Sequence, residues 1–324
     1  MMRSASVLII LSISSLPLGS LPLGSLSAPA SVRVGVFGLF HPRELILRSG
    51  HQIALRTDRD TCVLAGREEA RVSVAAGVIH VACGGAVLGA RTLRITGGDG
   101  GPADIEITVP ARITRKFRGQ VDVAAAGEEL VPVVSMDLET AVASVVAAEQ
   151  IASTPREALK AQAVAARSYF VAARGRHRGF DFCDTTHCQF LRQPPATTDP
   201  SARAAEETAG LVLAFRGAPI AALYSASCGG RTRSLADAGL SSTGGYPYFS
   251  VDCSYCLRHV TEGDSRLQPE AEPQRIEADR SEDARKGHGI GLCQAGAAAL
   301  ARDGAPFAEI LAHYYPGTAL TMLR

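Results

Sequence analysis

The sequence predicts an α+β fold: a β-rich N-terminal region followed by a mixed region of helices and a hairpin. Three observations carry this expectation. Short runs enriched in β-branched residues recur between residues 32 and 123, separated by clusters such as Gly97-Gly98-Asp99-Gly100-Gly101-Pro102. Near Leu138 the apolar spacing changes to that of a helix. Thr154-Pro155-Arg156-Glu157 then gives a strong helix start, with an N-cap, proline at the first helical position and a glutamate placed for a capping box.

Taken in order, the first 30 residues read as an export signal. Arg3 is the only early charge, 7–26 is apolar and serine-rich, and Ala28-Pro29-Ala30 has the small-x-small form of a cleavage site. Pro17, Gly19, Pro22 and Gly24 break that run, which argues against a spanning helix. The expected β-rich domain, 31–135, has strand-like runs at 32–36, 53–55, 72–81, 93–96, 105–109 and 121–123. It contains no catalytic constellation, so its reading is structural or binding.

The second region, 136–324, opens with an expected helix at 138–151 and a second at 157–174, with Gly175 as its cap. Leu159, Ala163, Ala166 and Phe170 form the apolar stripe of the second helix. Lys160 and Arg167, two turns apart, share a different face. A third helix is expected at 201–208, then a hairpin of 211–215 and 220–225 around Arg216-Gly217-Ala218-Pro219. Residues 258–286 read as a charged loop. A last helix, 306–314, ends at Pro316-Gly317.

With 324 residues the chain can bury a large core. Its formal net charge of +1 gives no footprint for nucleic acid or an acidic membrane surface. Export would place the eight cysteines in an oxidising compartment, where an even set can form disulfides.

Chemistry concentrates in a few places. Cys183-Asp184-Thr185-Thr186-His187-Cys188-Gln189 puts thiols and an imidazole close together. With His177 upstream, Cys183, His187 and Cys188 suit zinc by ligand type; a Cys183–Cys188 disulfide is the competing reading. Cys228, or the pair in Cys253-Ser254-Tyr255-Cys256, is a candidate to complete that set. Glu149 ends an apolar run, where burial would raise its pKa toward the range of a proton donor; the alternative is a solvated helix-end glutamate. If Lys160 and Arg167 lie beside Glu149 they would lower that pKa. In Lys286-Gly287-His288-Gly289-Ile290-Gly291 the phosphate-loop ending is missing, so nucleotide binding is rejected. The glycines instead allow close backbone approach that presents His288 and Gln294 to a ligand or a packed helix.

Six ordered segments resemble the SpoIID/LytB family, a sporulation protein and amidase-modifier family. They are Val145-Val146-Ala147-Ala148-Glu149, the alanine helix from Glu157 to Arg167, Cys183 to Gln189, Ala222 to Gly230, Gly287 to Gly296, and His313-Tyr314-Tyr315-Pro316-Gly317-Thr318. The resemblance implies a peptidoglycan lytic transglycosylase that cleaves the MurNAc-GlcNAc bond and forms a 1,6-anhydro product. It implies Glu149 as the acid/base, and Lys160, Arg167, Tyr224, Ser225 and Ser227 along the glycan groove; His288 and Gln294, presented by the glycine-rich loop, are further substrate-binding candidates. It also implies zinc at a Cys/His cluster like His177, Cys183, His187 and Cys188. The expected partners are peptidoglycan glycan strands and other cell-wall hydrolases. An exported, wall-associated location is expected, without a membrane span after signal cleavage. Tryptophans that commonly flank the family's His-Gly-x-Gly core are replaced by Lys286 and Ala295, which leaves Tyr246, Tyr248 and Tyr314 as candidate sugar-stacking groups. Cys293 replaces a usual serine, and Gln150 stands where methionine is frequent. Competing expectations are a non-catalytic wall-binding or amidase-enhancing module of the same fold, and a zinc or thiol-redox protein.

Overall fold

A computed structural model describes residues 31–151, 153–240, 245–257 and 286–324. The expected export signal and nearly all of the charged loop lie outside the described residues. No helix among the described residues is long and apolar enough to cross a membrane.

The fold is α+β. The strands before the first α-helix are β1 (Ser31–Gly35), β2 (Glu44–Arg48), β3 (Ile53–Thr57), β4 (Thr61–Leu64), β5 (Glu69–Ala75), β6 (Val78–Cys83), β7 (Ala86–Ala90), β8 (Thr92–Gly97), β9 (Ala103–Val109), β10 (Ile113–Ala126) and β11 (Glu129–Asp137). Buried and accessible residues alternate along β5, β9 and β10, as a strand with one face on a core requires. The run at 72–81 proves to be two strands. Ala76 and Gly77 both adopt positive φ there and turn β5 back onto β6 as a hairpin.

β10 organises the sheet. Its first half pairs with β9, its second half with β8, and β11 lies along the second half's other edge. The main path runs β1-β11-β10-β9-β2-β5-β6-β7, with β3 bridging β4 and β8. A disulfide joins Cys62 on β4 to Cys83 at the end of β6. Closing a loop of this size removes unfolded-state freedom worth about 3 kcal/mol.

The second region contains α1 (Leu138–Glu149), α2 (Arg156–Ala172), β12 (Phe182–Cys183), α3 (Pro200–Glu207), β13 (Leu211–Phe215), β14 (Ala218–Pro219), β15 (Tyr224–Ser225), β16 (Leu292–Cys293), α4 (Gln294–Arg302), α5 (Phe307–Tyr314) and β17 (Ala319–Met322). The Asp137 carboxylate caps α1, accepting from the Glu139 and Thr140 amides. The expected capping box at α2 does not form. Pro155 takes the N-cap place, Thr154 Oγ1 donates to the Ile151 carbonyl, and Glu157 instead accepts from Phe307 N, capping α5 from a neighbouring helix.

Only the turn end of the expected hairpin pairs, β13 with β14. β13 pairs on its other edge with β17, while β15 runs parallel to β16. α4 was hidden in the sequence by its overlap with the glycine-rich motif.

One hydrophobic core runs across the boundary expected at 135/136. It joins strand residues such as Val34, Ile107 and Val121 to Val142, Val145, Phe170 and Phe182. β12 also adds to the sheet beside β1. A buried ion pair ties the same regions: Arg115 on β10 contacts Asp184 at 2.5 Å, both nearly inaccessible, and Asp184 also accepts from Phe37 N. A second core lies under α2, α4 and α5.

Asp184→Ala removes the buried carboxylate that contacts Arg115 and accepts from Phe37 N. Urea unfolding is expected to show a loss of about 3–5 kcal/mol. A loss below about 1 kcal/mol would show that the pair is not buried as described.

Candidate functional site

Glu149 is the last residue of α1, half-buried, and the resemblance-derived acid. Desolvation raises its pKa from the ordinary 4.5 to about 7; a hydrogen bond from Gln294 opposes the rise. Gln294 Nε2, at the start of α4, lies 3.5 Å from Glu149 Oε2 and 3.5 Å from Gln162 Oε1. Among the described residues, neither a cation nor a second carboxylate contributes to the shift. Burial therefore wins over the opposing effect that Lys160 and Arg167 would have had at close range.

Those two cations are engaged elsewhere. Arg167 is fully buried, contacts Glu139 at 2.5 Å, and donates to the carbonyls of Ala205 and Leu211. It is a core tie between α1, α3 and β13 rather than a groove-lining residue, which corrects that expectation. Lys160 pairs with Glu157 and Glu207 at 2.9 and 3.2 Å. The shared face predicted for the two cations is the one that meets α3.

Tyr224 does lie at the site. Its hydroxyl donates to Gln189 Oε1 at 2.9 Å, and its pKa is raised by burial first and then by the charge of Glu149. Gln189 in turn donates to the Ala166 carbonyl of α2. Ser225 and Ser227 are buried on the same segment, and the Ser227 backbone pairs with Lys286. Gly291 shows why the following motif needs glycine: its φ is +70°, and a Cβ there would collide with the Leu223 carbonyl oxygen. That crossing holds the motif against β15. His288 keeps an exposed surface; its ring pKa is lowered, chiefly by desolvation, and Nδ1 accepts from Ile290 N.

Two glutamines were missed by sequence reasoning. Gln189 closes a motif whose thiols drew the attention, and Gln162 is the one amide side chain within an alanine-rich stretch of α2. Ser225 Oγ is buried and, among the described residues, has no hydrogen-bond partner, while the Gln162 side chain lies against the Tyr224 hydroxyl and accepts from Gln294 at Oε1. An unpaired buried hydroxyl is costly, and Ser225 follows Tyr224 directly on β15.

The expected stacking tyrosines are not at the surface. Tyr246, Tyr248 and Tyr314 are each at most 1 % exposed. Their hydroxyls engage Pro316 O, Ala221 O and Cys253 Sγ. A concavity lined by residues including Arg33, Arg94, Asp122 and Phe180 contains none of the site residues.

His177, Cys183, His187 and Cys188 converge, with all four ligand atoms within 4.8 Å of one another. His177 Nε2 is 3.2 Å from Cys188 Sγ, and His187 Nδ1 is 3.5 Å from the same sulfur. The set of two thiols and two imidazoles fits a closed tetrahedral zinc site. Cys183 is pulled down by its hydrogen bond with Cys188, which is pushed up in turn. The remaining cysteines do not complete this set: Cys228, Cys253, Cys256 and Cys293 gather in a cluster of their own.

Residues 126–215 match the family model SpoIID, described as stage II sporulation protein. The match bears out the resemblance drawn from the motifs and supports a cell-wall-related role. It covers Glu149, Gln162, Gln189 and the Cys/His cluster. No curated protein matches the chain.

Because Glu149 is raised from 4.5 to about 7, the native state keeps a proton that the unfolded chain loses in that window. Its burial costs nothing below 4.5, and stability then falls with rising pH until the loss is complete above 7. Glu149→Gln removes this penalty. Relative to wild type, the variant should gain up to about 3 kcal/mol on moving from about pH 4 to about pH 8. Equal differences at both pH values would contradict the desolvation account.

Proposed function

We propose that the protein is a lytic transglycosylase acting on peptidoglycan glycan strands, with Glu149 as its single acid/base. The observation that carries the reading is a carboxyl desolvated to a pKa of about 7, with no other carboxylate among the described residues contributing to the shift. Ordinary glycosidases divide the work between two carboxyl groups. A reaction in which the sugar supplies its own nucleophile needs one.

Protonated Glu149 donates to the glycosidic oxygen as the bond from muramyl C1 to that oxygen breaks. The resulting carboxylate then takes the proton of the muramyl C6 hydroxyl as O6 bonds to C1. The products are a 1,6-anhydromuramyl end and a free GlcNAc hydroxyl, and Glu149 is again protonated. Intramolecular attack gains from high effective molarity. A pKa near neutrality suits a group that gives and retakes one proton.

Gln294 holds Glu149 and stabilises its charged form between the two steps. Gln162 Nε2, Ser225 Oγ and Tyr224 are the groups assigned to sugar hydroxyls or acetamides. His177, Cys183, His187 and Cys188 would hold zinc as a structural tie that keeps the adjoining Gln189 against Tyr224. The proposed location is outside the cytoplasm after signal cleavage, in keeping with the Cys62–Cys83 disulfide.

A second reading, a non-catalytic wall-binding or amidase-enhancing module with other cell-wall hydrolases as partners, draws on the burial of Tyr246, Tyr248 and Tyr314. Mass spectrometry of fragments released from peptidoglycan separates the two. Wild type should release anhydromuropeptides with activity declining above about pH 7, and Glu149→Gln should lower release by about 100-fold or more. Equal release by both proteins would reject the assignment of Glu149; no release by either, with binding retained, would favour the binding module.

A further inference from the structure

We infer that Cys228, Cys253, Cys256 and Cys293 hold a zinc ion of their own, an all-thiolate structural site separate from the Cys/His cluster. The four sulfurs lie within 4.8 Å of one another. They come from three stretches of chain: the segment after β15, a short helical turn at Ser254–Leu257 with the residue just before it, and β16. All four residues are at most 2 % exposed. Cys228 Sγ and Cys256 Sγ are 3.7 Å apart. A tetrahedron with zinc–sulfur bonds of about 2.3 Å has sulfur–sulfur edges of about 3.8 Å, whereas a disulfide brings sulfurs to about 2.05 Å.

The surroundings supply what a metal thiolate needs. Gly230 N donates to Cys256 Sγ at 3.2 Å, and Gly296 N to Cys293 Sγ at 3.4 Å. The Tyr314 hydroxyl lies 3.0 Å from Cys253 Sγ. Hydrogen bonds of this kind orient thiolate ligands and offset their charge. Cys293 is also the N-cap of α4, where the helix dipole favours an anion. Gly296 leaves the room: a Cβ there would collide with both Tyr314 Oη and Cys253 Sγ. Four thiolates complete the tetrahedron and leave no open position, the mark of a structural site. Burial of both members of the C-x-x-C pair argues against a thiol-exchange role, which requires an accessible sulfur.

The site would fix two functional segments. Ser227 immediately precedes Cys228, and Gln294 immediately follows Cys293. An ion shared by these cysteines sets the position of α4, and with it the amide that reaches Glu149. The inference does not depend on the transglycosylase reading.

Elemental analysis and zinc-edge X-ray absorption of the full chain, purified without chelators, test it together. The expected result is about two zinc ions per chain with a mean shell of about three sulfurs and one nitrogen. Cys253→Ser/Cys256→Ser should lose about half the zinc and leave a shell of about two sulfurs and two nitrogens. Zinc bound by sulfur alone in wild type would also support the site. A single zinc held by two sulfurs and two nitrogens, absence of zinc, or disulfides among these four cysteines in peptide maps would overturn it. The wild-type measurements decide even if the variant fails to fold.

Discussion

The site depends on partly withdrawing one carboxyl group from water. Glu149 sits at the C-terminal end of α1, where the helix dipole already disfavours an anion, behind an apolar stretch that joins the main core. Both effects favour the protonated form. Gln294 supplies the counterweight, a donor that makes the ionised form tolerable without bringing a formal charge. Cations remain nearby in sequence but are spent on other contacts. Arg167 is consumed by Glu139 and by carbonyls of α3 and β13, and Lys160 by Glu157 and Glu207. Had either reached Glu149, the acid would have been ionised at neutral pH.

The polar groups around that carboxyl are positioned by cysteine-rich scaffolds. Gln189 follows Cys188, and Gln294 follows Cys293. Asp184, inside the first of these motifs, is anchored against Arg115 and the Phe37 amide, so the motif is fastened to the large sheet as well as to α2 through Gln189. The β-rich region thus bears on the site through packing and an ion pair, while its own strands provide none of the residues grouped around Glu149. Loops that carry buried polar side chains need such fastening, because a displaced amide leaves its partner unsatisfied in a low-dielectric environment.

Local patterns were legible in the sequence to the extent that they encode local structure. The period of α1, the proline start of α2 and the density of thiols at 183–188 all led to elements or clusters found in the fold. Pairing partners were less visible. The expected continuation of the hairpin failed because β15 finds β16, far along the chain, instead of extending β14. α4 escaped because Gly296, which the cysteine cluster requires for close packing, looks like a loop residue. The role of Arg167 was misread for a related reason: helical spacing gives the face a residue occupies, but not whether water or another helix covers it. Tyr246, Tyr248 and Tyr314 show the same limit, since an amphipathic ring fits a sugar groove or a core equally well.

The pKa of Glu149 itself is the quantity on which the account turns. Carboxyl carbon-13 NMR titration of the full chain, with the resonance assigned by its loss in Glu149→Gln, measures it without invoking substrate. The account predicts a midpoint of about 7. A midpoint at the ordinary 4.5 would mean that water reaches the carboxyl freely, and would contradict it.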